Sequence, residues 1–393
     1  MPKPGVHCAA MADESTSHRG GRRSGPGWRT SRRRRLLFAL IALGISFGVG
    51  FLIAEVGVRL AFGSPQAQKL PLETREPNKY RGWQLPANSF HYSHSHRADI
   101  NNLGLRDRDV GMKESGELRI LALGDSLTFG DSVPQGDTVP ARLEKELNAR
   151  AGSAPVRYRV VNGGIGGYST IQELGLLREL GPTIDPDVVI LFWYWNDVFE
   201  EEIEESYERT VRTPGVAVPR GWDRVRFRMK ELARSSATIM LAHDLLGTRK
   251  MRKRFGTFPG DSLPEGAPYP AVLEEALVKL KEHLRELEEL AIAHRARCVF
   301  VMMPHRQSLK DAERPTIDRS HAGRMAELAR EMGIPVVDLC PPLSDLADRK
   351  GDLPVVPFDG HYNSEGNAVM AVYLADELLR MPWFAGAGGG NGG

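Results

Sequence analysis

The sequence predicts an α/β protein: a three-layer α/β/α sandwich around a mostly parallel, five-stranded, flavodoxin-like sheet, preceded by one transmembrane helix. Three observations predict it. Five short runs are apolar at nearly every position, as strands buried on both faces must be. Segments of helical period lie between those runs. An uncharged stretch of 19 residues, 36–54, stands near the start.

That stretch reads LLFALIALGISFGVGFLIA and directly follows Arg32, Arg33, Arg34 and Arg35. At helical rise it spans about 28 Å, close to a bilayer core of about 30 Å. Arginines on one flank stay cytoplasmic, which places the chain after Phe62 outside the cytoplasm. An uncleaved signal anchor is the first reading. A signal peptide cut near Ala61-Phe62-Gly63 is the second, but the apolar run is long for one. Glu55 and Arg59, four apart just past the run, are placed to pair at the outer interface.

Residues 64–78 are polar, hold Pro65, Pro71 and Pro77, and read as a stiff linker. Residues 80–110 form an irregular extension with an Asn-Asn-Leu-Gly turn at 101–104. Strands are expected at 118–123 (LRILAL), 158–161, 187–194 (DVVILFWY), 298–303 (CVFVMM) and 335–339. An Asn162-Gly163-Gly164 turn is expected to close the second. Helices are expected at 138–151, 169–180 with Gly181 as its stop, 271–296, 319–332 and 363–379. In the long one, Leu273, Leu277, Leu280, Leu284 and Leu287 step by four and three. An insertion at 198–270 begins acidic (Glu200, Glu201, Glu202, Glu204, Glu205) and turns basic (Arg220, Arg224, Arg226, Arg228, Lys230). It reads as a solvated helical excursion rather than a dedicated binding face, although its place after a strand would let it cover a site. The domain reading is therefore a basic cytoplasmic tail (1–35), a signal anchor (36–62), a linker and extension (63–117), a catalytic domain (118–380) and a flexible Gly-rich tail (381–393).

Composition narrows the function. The chain has 393 residues, 41% hydrophobic and 26% charged, which excludes wholesale disorder. Its net charge of +2 hides an asymmetry: Lys3 and eight arginines against Asp13 and Glu14 give residues 1–35 a net +7, leaving −5 on the rest. An acidic body argues against nucleic acid as a partner. Three cysteines rule out a disulfide scaffold, and no zinc spacing occurs. Cys298 and Cys340 should lie at opposite ends of neighbouring strands, too far apart to bridge. No cofactor is implied.

In an open parallel sheet, ligands bind beyond the carboxyl ends of the strands. After the first strand stands Gly124-Asp125-Ser126-Leu127-Thr128, after the second Asn162-Gly163-Gly164-Ile165-Gly166-Gly167, after the third Asn196-Asp197, and near the chain end Asp359-Gly360-His361. A serine hydroxyl needs a base in reach, and the base needs a carboxylate to fix its tautomer. Ser126, His361 and Asp359 supply those parts. The Ser126 N–H, the Gly164 N–H and the Asn196 amide could face an oxyanion. Each piece also has a plain structural reading: a strand-to-helix turn, a glycine turn, a helix cap, a surface histidine. Their order and placement after the right strands favour catalysis. Asp197 reads as a cap for the insertion. Trp193, Tyr194 and Trp195 could line an acyl or sugar pocket or belong to the sheet core, and His305 stands at the same rim. His91, His94 and His96 near Asp99 could hold a metal, but strand alternation explains them as well.

These four blocks resemble the SGNH family of serine hydrolases, also called GDSL esterases and lipases. Gly-Asp-Ser-Leu with Ser126, Asn162-x-Gly-x-x-Gly with Gly164, Asn196-Asp197, and His361 before Asn363 and Gly366 match in order over residues 118–380. The extension at 101–106 is similar to that of bacterial membrane-anchored members. The resemblance implies a nucleophile (Ser126), two further oxyanion donors (Gly164, Asn196) and a base (His361). Many members carry Asp-x-x-His where this chain has Asp359-x-His361, a spacing seen in related acetyltransferases. Asp352 is the substitute carboxylate, and in some members a backbone carbonyl orients the histidine. The expected activity is hydrolysis of acyl esters, on a lipid or an acylated glycan. The alternatives are O-acyl transfer to an envelope polysaccharide and a non-catalytic binding module on the same fold.

Overall fold

The computed structural model describes residues 32–151, 156–198, 200–255, 271–306, 308–309 and 321–386. The basic head up to position 31, residues 256–270 of the insertion and the glycine tail from 387 lie outside the described residues. The chain divides into two compact units, Met1–Ala54 and Glu55–Gly393. Helix α1 (Arg32–Phe62) is long and apolar enough to cross a membrane.

The extension is more regular than its sequence suggests. It forms two antiparallel hairpins, β1 (Glu76–Asn78) with β2 (Gly82–Gln84), and β3 (Ser89–Ser93) with β4 (His96–Ile100). Then come β5 (Glu117–Gly124), α2 (Ser126–Phe129), α3 (Val139–Ala151), β6 (Arg157–Gly164), α4 (Thr170–Ile184) and β7 (Val188–Trp193). The insertion contributes α5 (Ile203–Arg212), α6 (Gly221–Arg234) and α7 (Ala237–Phe255). The chain closes with α8 (Ala271–Ala293), β8 (Arg297–Met302), α9 (His321–Glu331), β9 (Val336–Asp338), α10 (Cys340–Lys350), α11 (Ser364–Arg380) and α12 (Pro382–Gly386).

The main sheet has the order β6-β5-β7-β8-β9, every pair parallel. Both faces are apolar, so neighbouring residues of one strand enter opposite cores. On one side Leu121, Leu123, Val189, Leu191 and Phe300 meet the leucines of α8 and Trp83, Leu85 and Leu105 of the extension. On the other Ile120, Ala122, Ile190, Val299 and Val301 meet α3, α10 and α11. The strand order reverses at β5, which makes its carboxyl end the topological switch point where open α/β sheets bind ligands.

Two sequence expectations fail here. The second strand does not stop before Asn162: β6 runs on to Gly164, paired residue for residue with β5 up to Gly124. Helix α4 does not stop at Gly181. It continues through Pro182 and ends where Asp185 takes a left-handed conformation. Gly181 is needed for packing, since a Cβ there would stand 2.5 Å from His294 Nε2. Cys298 and Cys340 are not bridged to each other, and each is half-buried.

Arg106, 1% exposed, fastens the extension to the segment after Ser126. Its guanidinium donates to Phe129 O (3.1 Å), Gly130 O (2.5 Å) and Val133 O (2.8 Å). The backbone of α2 also lies directly on β6: a Cβ on Gly164 would sit 2.3 Å from Phe129 N and 2.6 Å from the Thr128 carbonyl carbon. Because backbone cannot rotate away, Gly164→Ala must displace α2. We expect a loss of about 1–3 kcal/mol of stability, as for other overpacked cores, readable by urea unfolding of the detergent-solubilised chain. An unchanged midpoint would contradict this contact.

Candidate active site

Ser126 opens α2 immediately beyond β5, half-buried. Asp125 caps that helix: its Oδ1 accepts from Leu127 N at 2.8 Å. Its Oδ2 accepts from Asn196 Nδ2, also at 2.8 Å. One buried carboxylate thus fixes both the nucleophile segment and the Asn196 amide, leaving the second Asn196 N–H available. Burial pushes the Asp125 carboxyl up, opposed by the Leu127 amide and Asn196.

His361 comes from the loop before α11. An antiparallel bridge between Val355 and Tyr362 and the bond from Val356 N to His361 O (2.8 Å) hold that loop. Its Nε2 lies 2.8 Å from Ser126 Oγ. Its Nδ1 lies 3.1 Å from Asp359 Oδ2, off the straight line of an ideal hydrogen bond. The short Asp359-x-His361 spacing therefore suffices. Asp352 is exposed and accepts from Leu353 N.

The electrostatics are unusual for a resting base. Burial pulls the imidazole pKa down, but the hydrogen bond and charge of Asp359, with Asp131 and Asp125, outweigh it and raise His361 to about 9. Burial likewise works to raise Asp359, yet His361, His94 and Ser132 hold it at about 2. Asp131 Oδ2 is 3.8 Å from His361 Nε2.

Asp359 has further partners that sequence reasoning missed. Ser132 Oγ donates to Asp359 Oδ2, and His94 Nδ1 lies 2.8 Å from the same hydroxyl. Since that hydroxyl spends its proton on Asp359, His94 donates to it from Nδ1. Ser93 Oγ donates to Asp131 Oδ1 (2.6 Å) and accepts from Ser132 N (2.9 Å). The β3–β4 turn thus reaches into the site. His94, Ser132 and Phe358 all have positive φ (52°, 66° and 61°). Such backbone is costly for residues with a side chain and clusters at functional sites. No sequence signal pairs Ser132 with His94; only the proximity of 131–132 to Ser126 hints at it.

The other histidines diverge. His91 is buried, stacks on Phe129 at 5.7 Å, and is lowered to about 4 by burial. Among the described residues no group of three His, Cys, Asp or Glu side chains is arranged to hold a metal.

Gly164 needs correcting. Its N–H donates to Asn162 Oδ1 at 3.0 Å, and its Cα faces α2, so this amide serves the strand end. The glycine beside the serine is two residues on: a Cβ on Gly166 would stand 3.7 Å from Ser126 Cβ and 3.5 Å from Asp131 Oδ2. Asp197 does not cap the insertion either; it accepts from Tyr194 N at 3.0 Å and closes its own turn. Trp193 belongs to the core, stacked on Phe300. Tyr194 and Trp195 pack with His305 at 6.1 and 6.0 Å between ring centres, an aromatic patch beside Asn196.

A profile of the GDSL-like lipase/acylhydrolase family matches residues 122–369, from β5 through α11. The chain belongs to that family. It is a hydrolase of the GDSL type, acting on ester bonds. Curated proteins yield no significant match. Among solved structures it is similar to a member of the lipolytic G-D-S-L family from Veillonella parvula DSM 2008 (16% identity, 67% of this chain, 100% of that one, TM-score 0.38). It is also similar to the psychrotrophic esterase EstA from Pseudoalteromonas sp. (13%, 68% and 98%, 0.37) and to a lipase/acylhydrolase from Enterococcus faecalis (13%, 66% and 95%, 0.37).

A base must be neutral to accept a proton. Raised to about 9 by its carboxylate neighbours, His361 is mostly protonated at pH 7. We expect kcat/KM on a soluble aryl ester to rise with pH through an apparent pKa near 9. Asp131→Asn removes a carboxylate facing Nε2, so the rise should move to lower pH. A profile flat across the alkaline range, or unmoved in the variant, would contradict this electrostatic account.

Proposed function

We propose that this chain is a membrane-anchored serine esterase whose catalytic unit lies outside the cytoplasm and works through an acyl-enzyme on Ser126. The observation that carries the reading is the 2.8 Å contact of His361 Nε2 with Ser126 Oγ, backed by Asp359 on the other ring nitrogen. Neutral His361 takes the Ser126 proton as Oγ attacks the acyl carbonyl. The carbonyl oxygen becomes an oxyanion. The Ser126 N–H, the second Asn196 N–H and a backbone amide of the Gly166-Gly167 turn, in place of Gly164, serve as its donors. Collapse breaks the ester C–O bond, and the departing alkoxide takes the proton from His361. Water then attacks the acyl-serine, giving its proton to His361, which returns it to Ser126 as the acid leaves.

Asp359 stabilises the imidazolium formed twice in this cycle, and its deep acidity keeps it ionised throughout. The 3.1 Å approach of Asp359 to His361 Nδ1 supports a catalytic reading over a purely binding one, because a binding module has no need of a carboxylate behind the imidazole. The location outside the cytoplasm rests on Arg32 to Arg35 flanking the apolar run of α1.

Ser126→Ala should abolish turnover of a short-chain aryl ester and labelling by a serine-directed phosphonate; undiminished turnover overturns the assignment. Asn196→Ala should lower kcat by about 10²–10³ with a much smaller change in KM, the effect of losing one oxyanion donor.

A further inference from the structure

Helix α6 wears its apolar side chains on the outside. Trp222, Val225, Met229 and Leu232, spaced by three, four and three, share one face and are 80%, 47%, 62% and 66% exposed. The face turned to the protein carries Phe227 and Glu231 instead, both half-buried, with Glu231 accepting from Gln68 N at 3.0 Å. A solvated helix has the opposite arrangement, so the sequence reading of the insertion as a plain excursion does not account for α6. Around the stripe stand exposed Arg224, Arg226, Arg228 and Lys230. Only Arg226 has an ion-pair partner among the described residues, Asp223 at a long 3.9 Å.

The joint between α6 and α7 is bonded to the end of α1. Glu55, which follows the last residue of the apolar run, accepts from Ser236 Oγ (2.8 Å), Ala237 N (2.8 Å) and Thr238 N (3.0 Å). It thereby caps α7 from another helix, satisfying amides that have no partner within their own helix. Arg59, paired with Glu55 at 2.8 Å, donates to Ser235 O at 2.5 Å. The residues that start α7 and end α6 are thus held by the first residues beyond the membrane-length run.

We propose that α6 is an interfacial helix that lies in the outer leaflet of the bilayer holding the anchor. Its Trp222–Val225–Met229–Leu232 stripe enters the acyl boundary, and its arginines and lysine sit among anionic headgroups. An apolar stripe bordered by basic residues is the composition that binds this way. Its connection through Glu55 and Arg59 favours the bilayer over a protein partner, because the chain's own anchor fixes the helix near lipid. The inference rests on the membrane-anchor reading and adds a second contact to it, orienting the catalytic unit toward ester groups presented at the membrane surface.

The test uses the full chain in vesicles of phosphatidylcholine and phosphatidylglycerol. Flotation with the vesicles reports the anchor. The emission lost on going from wild type to Trp222→Phe reports α6. Lipids brominated near the headgroup end of the acyl chain should quench that component. Its maximum should lie to the blue, and acrylamide should quench it several-fold less than an exposed tryptophan. Met229→Glu with Leu232→Glu should abolish the bromine effect while leaving hydrolysis of a soluble aryl ester unchanged. Vesicles that float with Trp222 open to acrylamide and blind to bromine overturn the proposal and leave the anchor standing. Shielding from acrylamide without bromine quenching assigns the face to a protein and overturns it too. A chain that does not float overturns the anchor and this inference together.

Discussion

The hydrogen bond between His361 and Ser126 joins points 235 positions apart in the chain, and most of the architecture can be understood as making it possible. Neither residue is useful alone, since a serine hydroxyl is inert near neutrality and an imidazole on a loop has no fixed aim. The parallel sheet solves the first half of this problem by ending β5, β6 and β7 along one edge. A bridge and a helix cap solve the second: Val355 pairs with Tyr362, and Asn363 caps α11 through Glu365 N and Gly366 N. His361 is therefore clamped on both sides.

That clamp gathers negative charge. Asp125, Asp131 and Asp359 all act on one imidazole, and their sum overcomes the effect of burial. The imidazolium is thereby favoured over the neutral ring. The hairpin β3–β4 moderates this arrangement. Through Ser93 and His94 it supplies hydrogen-bond donors to Asp131 and, by way of Ser132, to Asp359. The extension is thus a working part of the site, and Arg106 anchors it there.

Much of the fold was legible because its cause is local. A strand buried on two faces must be apolar throughout, and Leu118, Ile120, Val189 and Val301 could be read directly. The errors occur where a distant contact decides. Gly181 resembles a helix stop, but it is glycine because His294 crosses there. Gly164 resembles a free oxyanion donor, but α2 packs on it and Asn162 takes its amide. The same glycine-rich run does reach Ser126, but at Gly166, two residues further along.

Local pattern was enough to read the five-stranded parallel sheet and the membrane-length helix, and to single out Ser126, Asp359 and His361 as candidates. Each of these follows from periodicity, from residue type at a strand end or from a short motif before a helix, and those are properties of neighbours in the chain. It took the three-dimensional packing to reveal that Gly166 stands beside Ser126, that His94 and Ser132 support Asp359, and that Glu55 grips α7 while α6 turns Trp222 outward. Those depend on approaches between backbones and side chains far apart in sequence, and no local pattern encodes the geometry of such an approach.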